Sequence, residues 1–317
     1  MYDVLIIGCG ISGAAAAFEL SKYRLKVAVL EKENDVSTGT TKANSAILHA
    51  GYDPEPGTLM ARLNVRGSAL ARTLCPALDV PYRPCASLVL GFSEADRAVL
   101  QALWQRGRAN GVPGLALLTG DEARALEGGL SPSVICALHA PTAAVTSPWE
   151  YCLALAETAV RNGAEVYLDA GVDAIAKTPG GWRVSGRRGV FESRFVINAA
   201  GVFADRIHDL AAPHAYAIHP SRGQYFLLDK AEGDRVGRVI FQCPGPAGKG
   251  VLVAPTVHGN LIVGPNAEPV EGEDTATTAD GLRYVRETAE KSVPAIDFRQ
   301  SIRNFAGVRA HADGDDF

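Results

Sequence analysis

Near its start the chain reads Gly8-Cys9-Gly10-Ile11-Ser12-Gly13, a G-x-G-x-x-G run set between an apolar stretch and an alanine-rich one. No other feature constrains the fold as much. Residues 3–8 are a nearly continuous apolar run without alternation, the pattern of a strand buried on both faces of a parallel sheet. Residues 11–23 read as a helix and 26–30 as the next buried strand. The three make a β-α-β unit with a right-handed crossover. Within it each glycine has its own task. Gly8 makes the tight turn, Gly10 lets the backbone approach a pyrophosphate, and Gly13 lets helix and strand pack closely. Phosphates then sit over the helix N-terminus at Ile11 and Ser12, where free N–H groups and the helix dipole favour negative charge. Glu31 ends the second strand, where its carboxylate can bond a ribose hydroxyl pair and would repel a 2′-phosphate, which argues against NADP. Lys32 beside it joins the expected cofactor contacts. The motif itself leaves NAD and FAD open.

Composition narrows the class. With 317 residues, 47% hydrophobic and a net charge of −4, the chain has apolar surface enough to offset its entropy, so disorder is excluded. The near-neutral balance gives no reason to expect nucleic acid or an anionic membrane as the main partner. The first residues lack the basic start of a secretory signal, and no stretch approaches the ~20 apolar residues that span a bilayer. Six cysteines (Cys9, Cys75, Cys85, Cys136, Cys152, Cys243) form no C-x-x-C pair and no zinc spacing with histidine. Cytosolic thiols, a cytoplasmic location and no metal site are the expectations.

Residues 36–57, rich in Gly, Thr, Asn and Pro, form a long connection of the kind that is usually functional. Helices are expected over 58–78, 94–111 and 148–162, the last closed by Gly163. Strands are expected at 87–91, 165–168, 172–177, 182–185 and 194–198. From 219 to 263 short strand-like runs alternate with Gly/Pro turns, suggesting an antiparallel sheet. The order implies two interleaved domains.

The run from Gly39 to Gly51 follows the acid, and its small side chains and exposed N–H groups suit a flat ring lying on backbone. No second dinucleotide fingerprint follows. Residues 194–201 instead form a buried strand ending in Ala199-Ala200-Gly201, a second backbone approach to a nucleotide. With Ser221-Arg222-Gly223-Gln224-Tyr225, residues 254–260 and Phe305-Ala306-Gly307-Val308-Arg309, these segments make the chain resemble the D-amino-acid-oxidase-like superfamily of FAD-dependent oxidoreductases. Within it, the chain is most similar to anaerobic-type glycerol-3-phosphate dehydrogenases, then to L-2-hydroxyglutarate dehydrogenases.

The resemblance implies an α/β fold: a doubly wound, Rossmann-like FAD-binding domain interleaved with an antiparallel-sheet α+β substrate domain. Residues 1–80 plus 142–212 would form the first, and 81–141 plus 213–305 the second. It implies that Thr40, Thr41, Asn44 and Ser45 lie along the isoalloxazine, that Val172 meets the adenine end, and that residues 198–201 approach the pyrophosphate. The family continues past the Gly-x-Arg stretch to a glycine-rich strand-to-helix turn. Against that pattern residues 306–317 read as a truncated return to the FAD domain, ending at Asp315-Asp316-Phe317.

Oxidising a secondary alcohol needs a base for the hydroxyl proton and charge complementarity to an anionic substrate. The expected catalytic residues are His49, His258 and Arg309, with His49 the favoured base as nearer the ring. Arg309, Arg222 and Tyr225 are the expected substrate contacts, because the planar guanidinium suits phosphate or carboxylate. Each has a plainer reading, as a surface ion pair, a solvated strand face or a core phenol. Lys42 and Tyr52 are further candidates. The leading expectation is oxidation of sn-glycerol 3-phosphate to dihydroxyacetone phosphate, with a quinone or other electron-transfer partner and peripheral contact with the inner membrane face. Alternatives are an L-2-hydroxyglutarate dehydrogenase or oxidase, an amine or amino-acid oxidase, and an inactive truncated flavoprotein.

Overall fold

A computed structural model describes residues 1–245 and 250–313. The expected end of the 306–317 return, with Asp315-Asp316-Phe317, lies outside the described residues. The opening apolar run is the strand Tyr2–Ile7, held in parallel between Val27–Leu30 and Gly189–Asn198, so that Ile6 faces both Val29 and Ile197. Glu165–Tyr167 adds a fourth parallel strand beside Val27–Leu30. On the far side Gly189–Asn198 runs into an antiparallel meander with Gly181–Gly186 and Val172–Thr178, which completes six strands.

Alternate residues of a strand point to opposite faces, and both faces are covered over the two central strands, whereas 194–198, expected to be buried, is largely open, with Phe195 exposed. Val4, Ile6, Val27 and Val29 pack under the helices Ile11–Leu20 and Pro148–Arg161 through Ala14, Ala17, Phe18, Cys152 and Leu155. Leu5, Ile7, Ala28 and Leu30 pack against Ile175 and Val184 of the meander and against Ile207 and Leu210. Double coverage is why the run shows no alternation. Alanine at 14 and 17, with Gly13 before them, is what lets the first helix approach the sheet closely.

Among the described residues the second sheet has nine strands. Within residues 221–264 its neighbours are antiparallel as expected. The sheet as a whole is mixed, because Val239–Gln242 runs parallel to Ser87–Gly91. Ser221–Leu228 pairs along its length with Ser301–Arg309, placing Gly223 opposite Gly307 and Tyr225 opposite Phe305. One face buries Val89, Leu138, Tyr225, Phe241 and Ile262 with Leu100 and Leu103 of the helix Glu94–Ala109. The other buries Leu88, Leu228, Ile240 and Val253 with Val285 and Ala289 of Ala279–Ser292. The short strands Ile47–Leu48, Ala144–Thr146 and Tyr82–Pro84 form a third sheet.

Candidate active site

Three loops converge where the parallel strands end, the side on which open α/β sheets receive ligands. Gly8 takes φ +98°, and a Cβ there would lie 2.5 Å from the Ala199 carbonyl oxygen. A Cβ on Gly13 would collide with the carbonyl oxygen of Gly8. Only glycine serves at either place. The helix Ile11–Leu20 starts at Gly10 with no side-chain cap and no acid in its first turn, so its positive end is open to an anion. The Ile11 N–H donates to Thr41 Oγ1 at 3.0 Å, and Ser12 is exposed beside it.

Glu31 is buried, and its two carboxylate oxygens accept the N–H groups of Cys9 at 2.7 Å and Glu33 at 3.0 Å. These bonds fix the carboxylate at the rim and leave lone pairs for further donors. Val172 comes near because the Ala170 N–H donates to the Glu31 carbonyl at 2.7 Å, and Gly171 lies beside Lys32. Lys32 pairs with Glu33 and Glu273 and sits over the Phe203 ring. Ala199 donates its N–H to Ile7, Asn198 Oδ1 accepts from Ala200, and Gly201 at φ +57° has open space where a Cβ would stand. One rim therefore gathers Gly8, Gly10, Ile11, Ser12, Gly13, Glu31, Lys32, Val172, Ala199, Ala200 and Gly201. Backbone donors, an uncapped helix end and a fixed carboxylate suit a dinucleotide.

From Thr41 the chain leads to the second sheet. Thr40 Oγ1 donates to the Val308 carbonyl at 2.6 Å. Asn44 knits the loop to itself, donating to the Thr40 and Thr41 carbonyls while its Oδ1 accepts from Ala46. The loop rests on the strand at Gly307, where any Cβ would collide with the Ala43 carbonyl oxygen. Ser45 Oγ and the Tyr225 hydroxyl are 3.2 Å apart, and Tyr225 stacks on Phe305 at 4.8 Å. Burial pushes the Tyr225 phenol up to about 12, with the Ser45 hydrogen bond and the Arg309 charge pulling the other way. The phenol stays protonated, so its O–H is able to donate as well as its oxygen to accept. Strand register puts Arg309 on the face of Phe305 and Tyr225, at an exposed end. Its charge, after burial, helps hold His311 below the ordinary histidine value.

Thr40, Thr41, Asn44, Ser45, Tyr225 and Arg309 are thus joined by a run of contacts, with Thr41 and Tyr225 buried and Arg309 exposed. His49 continues the same loop, its ring stacked 5.7 Å from Phe241. His258 lies over the start of the helix Pro148–Arg161, with Nε2 2.8 Å from Glu150 and its ring on Trp149. Arg222 is not brought to this group. It is three residues from Tyr225 on one strand, so the pleat turns it to the opposite face. There it bonds Glu268 at 2.8 Å and Asp274 at 2.7 Å, with little exposure left. Lys42 is exposed on the loop, and Tyr52 is a buried core phenol raised by burial. The six cysteines are free; burial pushes the Cys152 thiol up to about 11 and Cys9 up to about 12. Gly307 and Phe203 lie outside the expected contacts, although a glycine inside the Phe-Ala-Gly-Val-Arg run already signals a close approach.

Three comparisons bear on this arrangement. The chain is 45% identical over its whole length to a glycerol 3-phosphate dehydrogenase of Caloramator mitchellensis, and it spans 66% of that relative's length. It is 31% identical to a glycerol 3-phosphate oxidase of Mycoplasma genitalium, with 97% of this chain and 83% of the relative covered. Among solved structures, the dithionite-reduced L-alpha-glycerophosphate oxidase of Mycoplasma pneumoniae with FAD bound superposes with a TM-score of 0.91 at 30% identity, covering all of this chain and 85% of that one. The family model described as DAO, FAD dependent oxidoreductase, matches residues 3–317, and the chain belongs to that family.

Proposed function

We propose that the protein oxidises sn-glycerol 3-phosphate to dihydroxyacetone phosphate. The observation that carries this reading is the run of contacts leading from the nucleotide rim, through the loop of Thr41 and Ser45, to Tyr225 and the strand that ends in Arg309. The 45% identity to the Caloramator dehydrogenase supports it. Gly8–Gly13, Glu31, Lys32, Val172 and Ala199–Gly201 would hold the nucleotide part of FAD, and Thr40–Ser45 the ring. Bound FAD supplies a hydride acceptor at N5.

The chain's own residues then have separable tasks. Arg309 binds the phosphate dianion, for which a planar guanidinium offers paired donors. Tyr225, oriented by Ser45, donates to a substrate oxygen. His49 in its neutral form takes the hydroxyl proton as the adjacent carbon gives up its hydride and the carbonyl forms. His258, tied to Glu150, stands as the second candidate for that proton. Electrons leave to a quinone-linked acceptor, with the protein cytoplasmic and in peripheral contact with the inner membrane face. Among the described residues no helix is long and apolar enough to cross a membrane.

The decisive test is the visible spectrum of the FAD-loaded protein mixed anaerobically with substrate. Bleaching by glycerol 3-phosphate, and not by L-2-hydroxyglutarate or glycine, is expected. Bleaching by L-2-hydroxyglutarate alone would replace the reading, and a flavin that nothing bleaches would make the protein an inactive binder.

A further inference from the structure

We propose that residues 270–278 form a strap that retains the bound dinucleotide at its Glu31 end. The inference rests on the placement of the cofactor's adenosine at that end. Its grounds are ion pairs that join the second sheet to the nucleotide rim.

The strap begins after Glu268–Pro269, which pairs with the edge of Ser221–Leu228, and both its ends are pinned. The Val270 N–H donates to the Pro220 carbonyl at 3.1 Å. The Thr278 N–H donates to Gln224 Oε1 at 2.7 Å, while Gln224 Nε2 donates to Thr278 Oγ1 at 3.1 Å. Between the ends stands an anchor. Arg222, only 8% exposed, holds Asp274 of the strap with one guanidinium nitrogen and Glu268 of the sheet with another. Beside Asp274, Glu273 reaches Lys32 Nζ at 2.8 Å. That ammonium also lies 3.1 Å from Glu33 and 4.3 Å from the centre of the Phe203 ring. Lys32 directly follows Glu31, and Phe203 lies two residues beyond Gly201. One cation therefore ties the strap to two of the three loops that make the rim.

The two attachments differ in kind. Arg222 is buried between two carboxylates, so releasing Asp274 would leave a largely desolvated charge with one partner fewer. Lys32 and Glu273 keep 43% and 38% of their side chains exposed, so water and salt compete for their contact. A firm root and a breakable tip let the strap open at Lys32 without unfolding the sheet. Arg222, turned away from Tyr225, gains a positioning role.

The test follows flavin fluorescence as FAD leaves the loaded protein after dilution. Glu273→Gln should release FAD about 2–5-fold faster at low salt, the range set by one half-exposed ion pair. The difference should vanish near 1 M salt, where the screening length falls to about 3 Å. Asp274→Asn, which loosens the root, should release at least as fast. Glu19→Gln, which removes the distant Lys22–Glu19 surface pair, should change nothing. Wild-type release rates in both strap variants at low salt would overturn the proposal. Equal acceleration by Glu19→Gln would overturn it too, by reducing the effect to net charge. Melting temperatures for all variants separate a strap effect from loss of fold. A wild-type protein that never takes up FAD would instead reject the cofactor placement, a result distinct from either.

Discussion

Gly307 lies so close beneath the carbonyl of Ala43 that the strand Ser301–Arg309 can carry no side chain there. This contact sets how the loop of Thr40–Ser45 rests on the second sheet, with the Thr40–Val308 hydrogen bond beside it. Gly307→Ala must push strand and loop apart. An overpacking cost of about 1–3 kcal/mol is expected. It should appear as a lower melting temperature together with a reduced flavin-to-protein absorbance ratio. A variant that loads FAD fully and melts like wild type would show that the loop does not depend on the contact.

Tyr225 and His49 should separate in a pH profile. With its phenol pushed up to about 12, Tyr225 remains protonated across the working range and adds no limb below about pH 10. Tyr225→Phe should lower kcat/KM for glycerol 3-phosphate by about 3–10-fold, the worth of one neutral hydrogen bond, without moving the profile. A neutral imidazole acting as base is lost as pH falls below about 6.5, so activity should decline on that side. His49→Asn should remove most activity together with that limb. If the limb persists with His49→Asn and disappears with His258→Asn, the base is His258.

Arg309 and Arg222 look alike as residues in a strand and should behave differently. Arg309→Met should raise KM for glycerol 3-phosphate by about 10–100-fold, as expected for losing charge-assisted hydrogen bonds to phosphate. Arg309→Lys should recover only part of it, because a lysine cannot present a planar fork. Arg309→Met should also raise the His311 pKa seen by NMR, since the Arg309 charge lowers it, yet leave it below the ordinary value because burial is the larger cause. The sign carries over to stability. A histidine held low in the fold resists protonation, so its contribution is present above about pH 6.5 and is lost as pH falls from there through its lower folded value. Arg222→Met should leave KM unchanged and lower the melting temperature, because it strips Glu268 and Asp274 of their buried partner.

These contrasts mark how far the sequence can be read. The rim was legible because its parts are local: a strand, a glycine turn and a helix follow one another, and Glu31 closes the unit. Arg222 is expected beside Tyr225 as a substrate contact, and the fold corrects this: residues three apart on a strand face opposite ways, and Arg222 is engaged by Glu268 and Asp274. What required the folded chain is contact between distant segments. Nothing near Lys32 points to Glu273, which lies 241 residues away, and nothing near His258 points to Glu150. The pairing of Ser221–Leu228 with Ser301–Arg309, which puts Arg309 on the face of Tyr225, is likewise a matter of register between segments. Local periodicity carries no record of such pairings.

Glu31 offers the sharpest test of the rim, because its carboxylate holds the Cys9 and Glu33 N–H groups. Glu31→Gln keeps the shape but replaces one acceptor oxygen with an NH2 that can only donate, so one of those backbone N–H groups loses its partner. A hydrogen bond to a charged group is worth about 1.5–3 kcal/mol, and the lost ribose contact adds to it. FAD affinity should fall by at least about 10-fold. Gly13→Ala should fail more completely, since its Cβ collides with the Gly8 carbonyl oxygen and displaces the turn proposed to hold the pyrophosphate. Titrating FAD into each apoprotein by fluorescence quenching orders them as wild type, Glu31→Gln, Gly13→Ala. An affinity for Glu31→Gln equal to that of the wild type would mean that the carboxylate orders the glycine loop without touching the ribose. The ribose hydroxyls would then have to find their partner elsewhere on the rim.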